Sequence, residues 1–351
     1  MKLFLVGTLL FFSACAIAQQ PSAKPSESDT DHMQHGHEHG GFMGEGMSHK
    51  VAKGVALDQK VDVAAHTVTL RVGPMTLPAN TSHMDMPQPA PSYWTVPFTG
   101  WLLSYHPAML DSKGSPVPGA LLHHTAFWNE SRSDFLCHNK PEHIFGAGGE
   151  LTDWRQIPGF GYHVQRGDRI RIDTMVYNPT STSYQGVYLQ VTIPYLDDAS
   201  PAPLKNFYPA WMDVRECGNS GYDIPAGPST KSGTVTVKYD GVLLGVGGHM
   251  HDYGQKLVLE DTTKKETIAT LDAKTDSAGK LISMPVAMFI GTGGQKLSAG
   301  DELKITATYD NTSGKFLHEG AMGIVVGYFV PSDPSALSSL RRAPRHSFTS
   351  E

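Results

Sequence analysis

From about residue 57 onward, apolar and polar side chains alternate with a period of two. Val68-Thr69-Leu70-Arg71-Val72, Arg169-Ile170-Arg171-Ile172 and Val187-Tyr188-Leu189-Gln190-Val191 all read this way. So do Thr234-Val235-Thr236-Val237, Leu257-Val258-Leu259, Leu303-Lys304-Ile305-Thr306-Ala307 and the run from Gly323 to Val330. Successive strand residues point to opposite faces, so this period, bounded by Gly, Pro, Asn and Asp, predicts antiparallel strands. No stretch has the period of an amphipathic helix. Strands at short spacing without helices predict an all-β fold of antiparallel β-sandwiches or jelly rolls. Residues 197–233, rich in Pro, Ser, Gly and Asp, break the rhythm. They suggest a junction near residue 200 between a first sandwich over 51–200 and a second over 201–331. From Ser332 the chain carries Arg341, Arg342 and Arg345 among Ser and Thr, and 332–351 reads as a flexible tail.

The first fifty residues follow another pattern. Lys2 precedes the largely apolar run Leu3 to Phe12, too short to span a bilayer, and Ala16-Ile17-Ala18 is an A-x-A cleavage site. Residues 1–18 therefore read as an export signal, and a secreted or periplasmic protein is expected. Lipid anchoring at Cys15 fits less well, because Phe12 stands where a lipobox wants Leu. No later stretch is long and apolar enough to cross a membrane. Removal of 1–18 leaves Cys137 and Cys217, which an oxidising compartment permits to pair. Cys137, near His138 and His143, is equally open to being a reactive thiol.

Residues 19–50 have no apolar period and contain His32, Met33, His35, His37, His39, Met43, Met47 and His49. Such a segment is expected to be a disordered, solvated leader that binds metal loosely, unless its His residues are incidental.

Composition sharpens this reading. The 351 residues carry 28 Lys and Arg against 34 Asp and Glu, a net charge of -6, so there is no broad basic field for nucleic acid. Against 3 Cys stand 17 His and 14 Met, a balance suited to metal handling without thiolates. No Ser-His-Asp constellation and no phosphate-cradling loop can be argued.

Three segments hold candidate chemistry. Gly119 to Asn129 contains His123-His124. Adjacent strand residues face opposite ways, so both reach one metal only where the strand ends, twists or bulges. Otherwise one His is buried and the other exposed. Gly245 to Gly254 contains His249 and His251, whose i, i+2 spacing places both rings on one strand face, where they chelate a metal or simply stack. Asp252 is placed to hold a ligand ring or the strand end by a hydrogen bond. His318 to Phe329 contains Met322, which alone reads as core. Beside a two-His pair it becomes a soft third donor, and two His with one Met suit Cu(I). Glu150 and Asp153 read either as an acid/base pair or as surface carboxylates in a Gly-rich loop.

Taken in order, these segments resemble the copper type II, ascorbate-dependent monooxygenases, peptidylglycine alpha-hydroxylating monooxygenase and dopamine beta-monooxygenase. They resemble still more closely the secreted bacterial and plant stress-induced nodulin-like proteins that share the leu-his-his, gly-his-x-his and met-gly segments and a Gly-Gly-Glu, here Gly148-Gly149-Glu150. The resemblance covers roughly residues 60–330. It implies two jelly-roll domains in tandem and two separated copper ions, one on His123 and His124, the other on His249, His251 and Met322. It also implies dioxygen, a small-molecule or peptide substrate, and ascorbate or another one-electron reductant. The enzymes carry a third first-domain His in a strand ending V-H-Y-x-N-P. Here Thr174-Met175-Val176-Tyr177-Asn178-Pro179 puts Met175 at that place, with Tyr177 two residues along on the same face and His163 as another donor.

Three functions follow. One is an oxygen-dependent copper monooxygenase. The second is a non-catalytic copper protein that binds, buffers or transfers the metal, favoured by the His/Met segment and the missing third His. The third is an extracellular binding module with structural His.

Overall fold

The alternating segments are strands. A computed structural model describes residues 50–150, 153–199, 204–215, 217 and 220–342. The export-signal reading, the His/Met segment up to His49 and the last residues from 343 lie outside these. Among the described residues the only helices are three short 3-10 stretches, and no helix is long and apolar enough to cross a membrane.

The first sandwich pairs a seven-stranded sheet with a four-stranded one. In the larger sheet, Thr67–Leu77 lies between Ala56–Asp62 and the long strand Tyr184–Asp197. The smaller sheet runs in the order Ser92–Thr95, Arg169–Val176, Leu122–Ser133, Pro141–Gly148. Strands distant in sequence are therefore neighbours, and the connections cross over as in jelly rolls. Alternate side chains from both sheets, among them Val68, Leu70, Val191, Phe127 and Ile172, fill one core. The second core is built by Tyr208–Asp213, Gly323–Pro331 and Gly241–Met250 on one side. Gly227–Thr236, Glu302–Asn311, Gly254–Asp261 and Glu266–Asp272 form the other. Among the described residues the pairings between strands are antiparallel apart from the short parallel one of Lys205–Asn206 with Phe160–Val164.

The sheet of Gly241–Met250 and Gly323–Pro331 is buried on both faces, which explains why these two strands read as nearly continuous apolar runs. Leu243, Val246 and Phe329 fill the second core, while Val242, Leu244, Tyr328 and Val330 pack against the first. Trp211 reinforces the seam: its ring stacks on His143 at 3.5 Å, and its indole N–H donates to the His143 carbonyl. Cys137 and Cys217 form a disulfide with Cα atoms 5.6 Å apart, so Cys137 is not a free thiol.

Two segments differ from the sequence reading. Within 197–233, where the alternation of the sequence breaks, Gly227–Thr236 is a strand; its Pro, Ser, Thr and Lys sit on a largely exposed ladder. Within the segment read as a loose tail, Pro334–Leu340 forms a 3-10 helix. Asp333 caps it, and Leu337 and Leu340 are buried in the second core. Arg341 pairs with Asp168 at 3.1 Å and Arg342 donates to Ser133. Two apolar residues three apart gave too short a pattern to read.

Candidate metal centre

His123 and His124 meet the geometric condition that adjacent ligands require. Leu122–Ser133 pairs with Arg169–Val176 so that Leu122 faces Val176 and His124 faces Met175. One extra residue, His123, is therefore bulged out of the ladder, and a bulge re-aims side chains that a regular strand would send to opposite faces. The two imidazoles end edge to face, with Nδ1 atoms 2.8 Å apart and hydrogen-bonded.

His249 closes the strand Gly241–Met250 opposite Ile324, and His251 lies just beyond it. Their ring centroids are 5.6 Å apart, as the i, i+2 spacing predicts. Beyond them the chain turns sharply through Tyr253, whose φ is 68°, and the Asp252 carboxylate accepts the Leu281 N–H at 2.9 Å. Of the two roles considered for Asp252, it takes the one that anchors the strand end.

The two pairs adjoin each other. The His123 ring lies 5.5 Å from the His251 ring, so ligands expected at separated sites share one buried cluster. The reason is the doubly buried sheet at the seam, which carries His249 and His251 to the edge of the first sandwich.

Glu150 links the pairs. Its carboxylate is 4.0 Å from His249 Nδ1 and accepts the Gly148 N–H at 3.0 Å. Gly148 is the ladder partner of His124, and a Cβ there would lie 2.5 Å from the Glu150 carboxylate. Gly-Gly-Glu is thus a cradle that lets a carboxylate fold back beside the histidines. Asp153 instead pairs with His106 at 3.3 Å, so Glu150 and Asp153 do not act as a pair.

The other candidate donors fall into two groups. Met175 stands opposite His124, and Tyr177 lies 5.4 Å from the His123 ring. The buried Tyr309 phenol donates to the Met322 carbonyl and accepts the N–H of Met322 and of His251, tying the Met to the second pair. His163 belongs elsewhere: its ring meets Trp101 edge to face and pairs with Asp198 at 3.1 Å. His318 pairs with Asp223 and is exposed.

Sequence reading missed His83, Tyr309 and the position of Glu150. His83, from the loop between Thr67–Leu77 and Ser92–Thr95, has its ring 4.5 Å from that of His123. Its only sequence signal is the short run His83-Met84-Asp85-Met86.

Burial and neighbouring imidazoles push His123 and His124 well below the usual imidazole range. Burial, then His249, drives His251 down to about 3. Burial also lowers His249, with Glu150 pulling the other way. Neutral imidazoles keep their lone pairs for a metal. His249 Nε2 and His251 Nε2 are buried without a hydrogen-bond partner, a cost that a metal ion would relieve. Among the described residues no three His, Cys, Asp or Glu side chains stand ready as a cage, and His123 and His124 direct their Nδ1 atoms at each other. The donor chemistry of imidazoles with thioethers nevertheless fits copper.

A cavity of about 630 Å³ opens beside this cluster. His124, Glu150 and His249 line one part of it, and Trp154, Trp211, Tyr328, Val246, Met284 and Val286 supply apolar wall.

No protein-family model matches the chain. It is similar to the protein named "Probable copper-dependent oxygenase clz3" of Cochliobolus lunatus, 26% identical over 235 residues, covering 60% of this chain and 72% of that protein. It is also similar to "Probable copper-dependent oxygenase M1" of a Phoma species, 26% identical over 238 residues, covering 60% of this chain and 58% of the relative. The chain thus spans less than two thirds of the second relative. Among solved structures, the major capsid protein P2 from bacteriophage PM2 aligns with 80% of this chain and 97% of its own at 10% identity. Its TM-score of 0.30 is too low to carry an argument. The chain is a distant relative of proteins named as copper-dependent oxygenases.

Proposed function

We propose that this protein is a secreted, copper-dependent oxygenase that hydroxylates a largely apolar small molecule. The observation that carries this reading is the junction of the His cluster with the large apolar cavity. A copper buffer needs the ligands but has no use for a substrate-sized chamber beside them. The relatives named as copper-dependent oxygenases support the same reading. The disulfide and the export-like first residues support secretion.

His123 and His124, with Met175 opposite, would hold one ion; His249, His251 and Met322 would hold the other. When bound, copper supplies the redox chemistry by which one atom of dioxygen enters a substrate C–H bond and the other leaves as water, with two electrons and two protons from ascorbate or a similar one-electron reductant. The chain's own residues do the rest. Glu150, 4.0 Å from Nδ1 of His249, would favour the ring orientation that presents Nε2 to a metal, as carboxylates beside ligating His do. Tyr309 fixes the backbone of His251 and Met322 relative to each other. Trp154, Trp211 and Tyr328 exclude water and offer flat faces to an apolar substrate. Monooxygenation of the peptidylglycine or dopamine type is the finer form of this proposal.

Copper transfer without turnover is the second reading, favoured by the His/Met-rich residues 19–50. The two are separated by metal analysis of the mature protein followed by oxygen uptake with ascorbate and a panel of apolar aromatic compounds. The oxygenase reading expects tightly held copper and compound-dependent uptake with a hydroxylated product. Copper retention without compound-dependent uptake would favour transfer, and the absence of retained copper would sink both.

A further inference from the structure

We propose that His83 is a copper ligand, supplying the third imidazole to the His123/His124 site; this rests on the copper reading above. The bulged pair gives two ring nitrogens, and the strand opposite offers a thioether, Met175, rather than an imidazole. The residue that brings a third ring is on another element. The His83 ring contacts the His123 ring edge to face at 4.5 Å, nearer than His251 at 5.5 Å or Tyr177 at 5.4 Å. His83, half-buried, also adds to the electrostatic push on His123, His124 and His251.

The loop that carries His83 is pinned to the strand that lacks a histidine. Gln88 is 2% exposed, and its side-chain amide donates to the carbonyls of His83 at 2.9 Å and Val176 at 3.0 Å. Its oxygen accepts the Val176 N–H at 2.8 Å. Val176 is the immediate neighbour of Met175 and the partner of Leu122 on the other side of the bulge. One buried side chain therefore sets the height of His83 relative to both Met175 and His123. Met86, also buried, anchors the same loop in the first core. A surface loop holding an incidental histidine needs no such anchoring. Three imidazoles form a firmer site for copper in either oxidation state than two with a thioether, which leans toward Cu(I).

The test uses the mature full-length chain loaded with Cu(I) and challenged with bathocuproine disulfonate at a concentration that strips loosely held ions from the His/Met-rich segment. Copper retention and X-ray absorption of the retained copper are then read. His83→Ala is expected to weaken one ion by at least about tenfold, in line with the loss of a metal-supporting group, and to lower the imidazole count. Met175→His in the His83→Ala background is expected to restore both, because it returns an imidazole from the opposite strand. Unchanged retention and imidazole count in His83→Ala would overturn the proposal while leaving the copper reading intact. A loss that Met175→His does not repair would assign His83 to loop packing and overturn it equally. If the wild-type chain retains no copper under the same challenge, the copper reading itself fails.

Discussion

The rings of His123 and His251 lie 5.5 Å apart, edge to face, although one sits in a strand of the first sandwich and the other just past a strand of the second. A bulge turns the first toward the seam, and a strand end buried between two cores delivers the second. Both devices bear on the contact, so disturbing either is expected to separate the pairs.

Tyr309 is the brace on one side of that relationship. Its hydroxyl is the shared partner of the His251 N–H and both backbone groups of Met322. Tyr309→Phe leaves buried backbone groups unsatisfied and is expected to cost roughly 1–3 kcal/mol of stability. It should also loosen Cu(I) at the proposed His249/His251/Met322 site. Urea unfolding and chelator competition on the variant check the two effects, and unchanged Cu(I) affinity would remove Tyr309 from the account of the site.

Gly247 offers a way to close the cavity without touching the histidines. It shares a strand face with His249, lines the cavity, and a Cβ there meets nothing nearer than Val286 Cγ2 at 3.6 Å. Gly247→Leu should therefore project into the space where substrate is proposed to sit. Copper retention is expected to stay as in the wild type while compound-dependent oxygen uptake falls at least about tenfold, since filling a pocket removes bound substrate and its alignment. Equal uptake in variant and wild type would move the substrate elsewhere.

Reduction of Cys137–Cys217 opens a cross-link spanning 80 residues. Paired Cys137→Ser and Cys217→Ser substitutions are expected to lower stability by about 2–4 kcal/mol, because the unfolded chain regains the entropy that the loop removes. Denaturant midpoints with and without reductant measure this, and coincident midpoints would contradict it.

Glu142 predicts a pH dependence. Burial lifts its carboxyl from the usual 4.5 to about 7, against the pull of Arg132 and of the Tyr162 hydroxyl that donates to it. The folded state then binds more protons than the unfolded state between these values. Stability from this group is present below about pH 4.5 and is lost as pH rises through about 7. Glu142→Gln cannot titrate, so the stability difference, wild type minus variant, should fall across that window. A difference constant from pH 4 to 8 would show that folding does not raise the Glu142 carboxyl.

The sequence by itself determined the all-β class, most of the strands and the His249/His251 face, because period-two alternation and i, i+2 spacing are local properties of an extended backbone. It also presented His123-His124 together with the condition they had to meet. The bulge that meets it was decided only by the pairing of Leu122–Ser133 with Arg169–Val176, which no single segment records. The same holds for Glu150, whose place depends on Gly148 lying beside His124 in a third strand. His83 was invisible because a lone loop histidine has no period. Its place beside His123 depends on Gln88, which joins residues far apart in sequence. Local spacing sets which side chains share a face, but the meeting of two His pairs depends on how two buried cores pack against one sheet, and that is written only in the tertiary contacts.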